Sequence, residues 1–413
     1  MKSLTCRIAL ALAASAALTA AAPAQADLPA PAPAAAALPL VQTDEQALAQ
    51  DAAEYGRQVG IAPDEALRRL RAQEQSVEET DRLQHIYRDR LAGISVEHRP
   101  DYRIVVLLTG DEPVSDRIIR AGGMDVPVVF RTGAAATRDR VLAAIRLHQA
   151  EIRDVMPRPP GIGADARTGE LVVMARGLEL GEEREAELEA RFAALTGVPV
   201  RVESAAGSDA LLSIEGGARV IGPEADGKRQ YCTAGFVVTD GARTGLVTAA
   251  HCPDSLAYRS PRGGDVPLEY VGQWGWSYQD VQVNVSAAAR DPVFYADTGK
   301  TALRRVGGTR SRASTRAGDV VCHRGETSGY SCALVEMVDY APPGDLCGGP
   351  CAAVWVAVAG PTCRGGDSGG PAFAGTTAFG IVKGASFDRS GRCDLYYYMS
   401  TDYLPTGWSL LRG

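Results

Sequence analysis

The sequence predicts two parts of different fold class: an α/β segment over residues 27–212 and an all-β barrel or sandwich over 213–413. Three observations carry this reading. Cysteine is absent from Asp27 to Leu212, whereas eight of the nine cysteines lie between Cys232 and Cys393. The first stretch holds 31 acidic and 22 basic residues, net −9, and the second holds 19 of each. Helical and strand patterns alternate in the first part, while short β-rich runs broken by turns fill the second. The length of 413 residues fits two to three domains.

Lys2 and Arg7 precede an apolar run from Ile8 to about Ala22, and "AQA" (Ala24–Ala26) offers small residues for cleavage before Asp27. Residues 1–26 therefore read as a secretory signal peptide, too short in its apolar run to be a spanning helix. Cys6 leaves with it. No later stretch is long enough to cross a bilayer, and no basic stripe points to nucleic acid. "LPAPAPAAAALP" then reads as an extended linker. Over 63–91, Leu67, Leu70, Val77, Leu83 and Ile86 recur at helical intervals. "YRIVVLLTG" and "VPVVFRTG" read as strands, and "TRDRVLAAIRLHQAEIRDV" as a strong helix. "ELVVMARG" (strand), "EEREAELEARFAALTG" (helix, stopped by Gly197) and "VPVRVES" (strand) follow.

In the second part, "CTAGFVVTDGARTGLVTAAHC" reads as a hairpin around Asp240-Gly241. Short strands and turns recur to about Tyr398, and "STDYLPTGWSLLRG" closes the chain with a short terminal helix. Eight cysteines in an exported chain imply disulfides. Zinc is disfavoured, because few histidines accompany them and only Cys347 and Cys351 are closely spaced.

"GDSGGP" (Gly366–Pro371) is poor helix and poor strand. A plain surface turn accounts for it when taken alone. Glycines on both sides would also present Ser368 on a tight turn, with backbone N–H groups free to face one developing oxyanion. A nucleophilic serine needs a base, and the base an orienting acid. This part holds two histidines, His251 and His323. His251 ends the apolar run "TGLVTAAHC". Asp280 stands in the strand-like "GWSYQDVQVNV", where a carboxylate is costly without a partner.

"TAAHC" with "GDSGGP" resembles the chymotrypsin-like serine proteases. "CHRGETSGYSC" (Cys322–Cys332) and "GTTAFG" are similar to the bacterial branch that includes alpha-lytic protease and the streptogrisins. The resemblance covers roughly residues 213–405. It implies two β-barrels with the site between them, and a secreted serine endopeptidase that cuts peptide bonds through an acyl-enzyme. Ser368 would be the nucleophile, His251 the general base and Asp280 its orienting acid. The N–H groups of Gly366 and Ser368 would form the oxyanion hole. Thr362 and the segment Lys383, Gly384, Ala385 and Ser386 would line the substrate pocket. Asp367 would pair with Arg324, and His323 would be structural. The expected disulfides are Cys232–Cys252, Cys322–Cys332 and Cys363–Cys393, which leaves Cys347 and Cys351 for each other.

The chain departs from that pattern at three points. "CRGGDSGG" is one residue short between cysteine and serine. Lys383-Gly384-Ala385 stands where the family has Ser-Gly-Gly, with Lys383 in place of a serine near the aspartate. Cys347 and Cys351 sit in an insertion. The pocket resembles those for apolar side chains, although Lys383 and Arg364 would draw an acidic one. A non-catalytic binder on the same fold would usually have lost Ser, His or Asp, and all three are here. The first part resembles the pro-regions of the same family, implying a self-processing zymogen whose α/β segment is foldase and inhibitor. The other reading is a retained N-terminal binding domain. The mature enzyme would start near Ser213, act as a monomer on proteins or peptides, and need no metal or cofactor. Its place is outside the cell, by way of the periplasm where there is one.

Overall fold

Helix α1 (Asp44–Val59) opens at a capping box: the Gln46 N–H donates to Thr43 Oγ1 and the Thr43 N–H to the Gln46 side chain. The computed structural model describes residues 40–413 apart from 177–179, 206, 212–217, 224–228, 262–263, 288, 290 and 345. The signal peptide, the linker and the Leu212–Ser213 boundary lie outside the described residues. Helix α2 (Pro63–Gln75) begins with a proline, whose missing N–H costs nothing in a first turn. The helical pattern over 63–91 breaks at Ser76, where α3 (Val77–Ile86) starts, and the chain enters β1 (Leu91–Glu97). With β2 (Arg103–Thr109), β3 (Arg117–Ala121) and β4 (Met124–Ala134) it forms a sheet ordered β1-β2-β4-β3. Leu83, Ile94, Val106 and Val128 pack between the helices and this sheet. Helix α4 (Arg138–Val155), β5 (Gly161–Asp165), β6 (Glu170–Arg176), α5 (Glu182–Thr196) and β7 (Val200–Ala205) make a second layer. Its core joins Val141, Ile145, Leu188 and Phe192 to Ile162 and Val173.

After β8 (Gly207–Leu211) the chain is almost all β. β9 (Val237–Thr239) and β10 (Thr244–Thr248) form the expected hairpin, in which the Ala242 and Arg243 N–H groups donate to Asp240 Oδ1. β11 (Glu269–Trp274) and β12 (Val281–Val285) extend it to the order β11-β12-β10-β9. A four-stranded sheet that includes Arg219–Pro223 completes the first lobe. The second lobe is β13 (Val320–Gly325), β14 (Gly329–Ala341), β15 (Trp355–Ala359), β16 (Pro371–Ala374), β17 (Thr377–Asp388) and β18 (Cys393–Ser400). The order β13-β16-β17-β18-β15-β14 closes on itself, because β14 also pairs with β13. Disulfides join Cys232 to Cys252, Cys322 to Cys332, Cys347 to Cys351 and Cys363 to Cys393. The last segment is not the helix expected from its pattern. A single 3-10 turn, Thr401–Tyr403, leads to Ser409–Leu410, which adds to the edge of β9. No helix of the described residues is long and apolar enough to cross a membrane.

The described residues fall in one compact unit, so the two parts are packed together. β5 pairs antiparallel with β14, which continues the barrel wall into β6 and β7. Ala52, Tyr55, Ala66 and Leu70 share a core with Val320 and Phe373. Three arginines meet acids on three successive helices. Arg304 pairs with Asp51 on α1 at 2.9 Å, both fully buried. Arg310 pairs with Glu74 on α2 at 2.7 Å, and Arg316 with Asp81 on α3 at 2.5 Å. The zero net charge of the second part therefore hides a local row of arginines facing single acids on the three helices.

His98 bridges the two parts: one ring nitrogen lies 2.7 Å from the Tyr55 hydroxyl and the other 2.6 Å from the Gly318 carbonyl. Burial, helped by the charges of Arg69 and Arg167, holds its pKa down at about 4. Free histidine titrates near 6.5, so between pH 6.5 and 4 the unfolded chain binds the proton that the folded chain refuses. The stability this contact adds is complete above about pH 6.5 and falls as pH drops to 4, by up to about 3 kcal/mol. Urea unfolding of the full chain at pH 7 and pH 4.5 should show this loss. H98Q should flatten the pH dependence, and equal slopes for the two proteins would refute the assignment.

Candidate active site

Three chain segments far apart in sequence converge between the lobes. His251 follows β10, Asp280 immediately precedes β12, and Ser368 lies in the loop before β16. Cys252, next to His251, is tied to Cys232 on a neighbouring strand, which fixes the turn that carries the imidazole. His251 Nδ1 lies 3.0 Å from Asp280 Oδ2 and 3.3 Å from Oδ1. The His251 N–H also donates to Oδ1, at 3.3 Å. With Nδ1–H donating to the carboxylate, Nε2 accepts from the Ser368 hydroxyl at 2.9 Å. Asp280 and Ser368 are buried, while His251 is open on one side. Burial alone would raise the Asp280 pKa, but the charges of Lys383 and then His251 hold it well below the usual carboxylate range.

The serine loop is pinned through its backbone. The Thr233 N–H donates to the Ser368 carbonyl (2.7 Å), and the Thr233 hydroxyl to the Gly366 carbonyl (2.8 Å). Gly366 has φ 104° and Gly369 φ 87°, backbone that other residues resist. A Cβ on Gly369 would stand 2.3 Å from the Thr233 carbonyl oxygen. This loop therefore needs its glycines for both torsion and space.

No family model matches the chain. Streptogrisin-D of Streptomyces griseus is 31% identical over 172 residues, which cover 40% of each chain; the alignment thus spans about two fifths of that relative. The chain resembles the chymotrypsin-like bacterial serine proteases. Solved structures similar to it include Thermobifida fusca Protease A, with 23% identity over 48% of this chain and 99% of that one, TM-score 0.38. Another is Cellulomonas bogoriensis chymotrypsin, with 19% identity over 48% and 99%, TM-score 0.37.

The protease-like half departs from the expected residue roles at two points. Arg324 does not pair with Asp367. Its guanidinium reaches the carbonyls of Asp297 (3.1 Å) and Thr298 (3.4 Å) and lies 3.7 Å from Glu326. The reason is strand alternation: His323 and Arg324 are neighbours on β13 and face opposite sides. His323 is the one near Asp367, at 4.0 Å, and it packs on Tyr396. Burial and the Arg324 charge push the His323 pKa down to about 3, so it brings no cation at neutral pH. Asp367 is held by backbone instead, accepting from the N–H groups of Ser328 (3.1 Å) and Arg364 (2.7 Å). A Cβ on Gly325 would strike this carboxylate, so glycine there lets the loop close over it. Burial nevertheless leaves the Asp367 pKa raised.

The second departure is Lys383. It does not present a cation to a pocket: its Nζ lies 3.2 Å from Asp280 Oδ2 and 5.0 Å from the Trp355 ring centre. Its main-chain carbonyl, by contrast, stands 3.3 Å from Ser368 Oγ. Gly384, Ala385 and Ser386 lie on the β17 edge and pair with β8. Thr362 donates to Ser331 Oγ at 2.8 Å, and the Arg364 side chain is exposed. Neither Trp355 nor Met399, whose sulfur accepts the Asp280 N–H, stood out in the sequence. Lys383 did carry a signal, since it replaces a serine expected near the aspartate.

Proposed function

We propose that the chain is the precursor of a secreted serine endopeptidase, cut to its mature form near Ser213. The observation that carries this is the aligned run from Ser368 Oγ through His251 to buried Asp280. In this reading Ser368 attacks the scissile carbonyl while its proton passes to His251 Nε2. Asp280 holds the ring by Nδ1–H and stabilises the imidazolium. The proton then goes to the leaving amine, and water repeats the cycle on the acyl-enzyme. The Gly366 and Ser368 N–H groups would stabilise the oxyanion. Four disulfides fit an oxidising compartment outside the cytosol.

Self-processing is supported by β8. Leu211 stands opposite Gly384 and Gly207 opposite Asp388, as an extended peptide substrate would lie on a sheet edge. Gly384 follows Lys383, whose carbonyl is beside Ser368 Oγ. A cut within a residue or two of Leu211 follows, and residues 27–212 would then be both inhibitor and folding partner. With Lys383 turned to Asp280, an apolar side chain is the expected primary specificity.

An active-site fluorophosphonate should label folded protein once, on Ser368, and the labelled form should begin near Ser213. A peptide library should be cut after apolar residues. A folded protein that takes no label, or takes it elsewhere, would support a catalytically silent binding protein on this fold.

A further inference from the structure

Lys383 is a cation placed where burial is expensive. The side chain is 1% exposed and its carboxylate partner 2% exposed. An ammonium out of water is tolerated only with a close partner. The strand itself aims it there. β17 pairs with β18 as Val382 to Tyr398 and then Gly384 to Tyr397, so the register shifts at Lys383 and leaves it without an opposite residue. Such a bulge redirects the side chain of the extra residue. Trp355 on β15 lies against the ammonium, and its own N–H donates to the Ser277 carbonyl at 3.3 Å, which anchors the ring. This is a built site rather than a stray contact.

Its consequence lies in the oxygen that Lys383 shares. Asp280 Oδ2 meets both Lys383 Nζ, at 3.2 Å, and His251 Nδ1, at 3.0 Å. With neutral imidazole the three groups sum to zero charge; with imidazolium they carry +1 in a partly buried place. We propose that Lys383 is a positioning residue that fixes the Asp280 carboxylate and, by opposing a second cation on the same oxygen, extends the enzyme's working range to lower pH. The proposal rests on the serine protease reading above.

The other groups packed there do not compete in this range. Lys383 and His251 are the charges that act on Asp280. β18 contributes the Met399 sulfur, which does not titrate; Tyr396 and Tyr398 belong to the opposite face of that strand, and burial pushes their pKa values far up. β15 contributes Trp355; His323 on β13 packs on Tyr396, away from this group, and stays neutral down to about pH 3.

The test is the pH profile of kcat/KM on a peptide substrate, with enzyme matured from the full chain. The acid limb of K383S should lie about one pH unit or more above that of the wild type, because the imidazolium has lost an opposing charge. K383R should keep the low limb. K383M, which keeps the stem against Trp355, replaces K383S if the serine variant does not fold. A second readout needs no turnover: the NMR titration of His251 in S368A precursor, with and without K383S, should show the same upward move. Lower activity with an unmoved limb and an unmoved titration would reduce Lys383 to packing and overturn the proposal. If the wild type shows no Ser368-dependent hydrolysis, the protease reading fails, and the titration alone still decides for or against Lys383.

Discussion

Ser368→Ala is expected to lower peptide hydrolysis by on the order of 10⁴- to 10⁶-fold, the range seen when the nucleophile of such a group is removed. The substitution takes away one oxygen, the one 2.9 Å from His251 Nε2. The loop should survive, because its anchors are backbone: the Thr233 contacts with the Ser368 and Gly366 carbonyls, and the Asp367 contacts with the Ser328 and Arg364 N–H groups. Thermal unfolding should therefore change little while kcat collapses. The same variant should accumulate as uncut precursor, since β8 lies on the strand beside the nucleophile. Kinetics on a peptide substrate and gel analysis of the secreted product check both halves of the expectation. Hydrolysis close to wild type would remove Ser368 from its role. Normal processing of an otherwise dead variant would assign the cut to another protease.

Residues 213–413 refolded alone should regain activity slowly, and residues 27–212 added in trans should speed recovery by orders of magnitude. A closed barrel and sheets built from distant strands must form many non-local contacts before they stabilise anything. Secreted proteases persist by unfolding slowly, and a barrier that slows unfolding slows folding too. In the proposed reading the α/β part would lower that barrier with specific pieces. β5 offers an edge to β14 before the barrel closes, and Gln73 takes both backbone groups of Val320 on β13, at 2.7 and 3.2 Å. Asp51 makes three polar contacts to the second part. It pairs with Arg304 and also accepts from the Tyr330 hydroxyl (2.5 Å) and the Gly375 N–H (2.6 Å). D51A in the added segment leaves the buried guanidinium unpaired, at about 3–5 kcal/mol. Inhibition of mature enzyme by that variant should weaken by at least about 100-fold. Fast unaided refolding, with no inhibition by the wild-type segment, would leave the α/β part as an ordinary domain.

The elements that local pattern controls were legible. The helix expected over 137–155 is α4, and the run ending at Gly197 is α5. The Asp240-Gly241 turn was readable because side-chain acceptance and glycine torsion are local signals. His251, Asp280 and Ser368 come within hydrogen-bond reach of one another, although nothing near any one of them in the sequence reports the other two. Helix α1 was missed, since its buried face (Ala47, Asp51, Ala52, Glu54, Tyr55 and Gly56) carries a single large apolar side chain and follows an alanine-rich linker. The break at Ser76 and the two-residue strand Ser409–Leu410 answer to tertiary contacts, not to pattern. Arg324 was misplaced by one position, and on a strand one position is the opposite face. The bulge at Lys383 has no composition of its own; it exists because β17 must follow β18 on both sides of it.

β17 carries one further consequence, concerning the neighbours the chain meets while it folds. The edge from Gly384 to Asp388 has open backbone donors and acceptors once β8 is gone, and such an edge pairs with any extended chain. That is useful in an enzyme that reads peptides and hazardous in a crowd of half-folded copies, where the nearest extended chain is a sibling. While Gly207–Leu211 lies along it, the edge has no vacancy for an intermolecular strand. Release of β8 by the enzyme's own cut would come only after the serine, the imidazole and their supporting strands have assembled. The sticky edge would then be bared on finished molecules alone, so in the proposed reading β8 would guard against aggregation in addition to blocking the cleft.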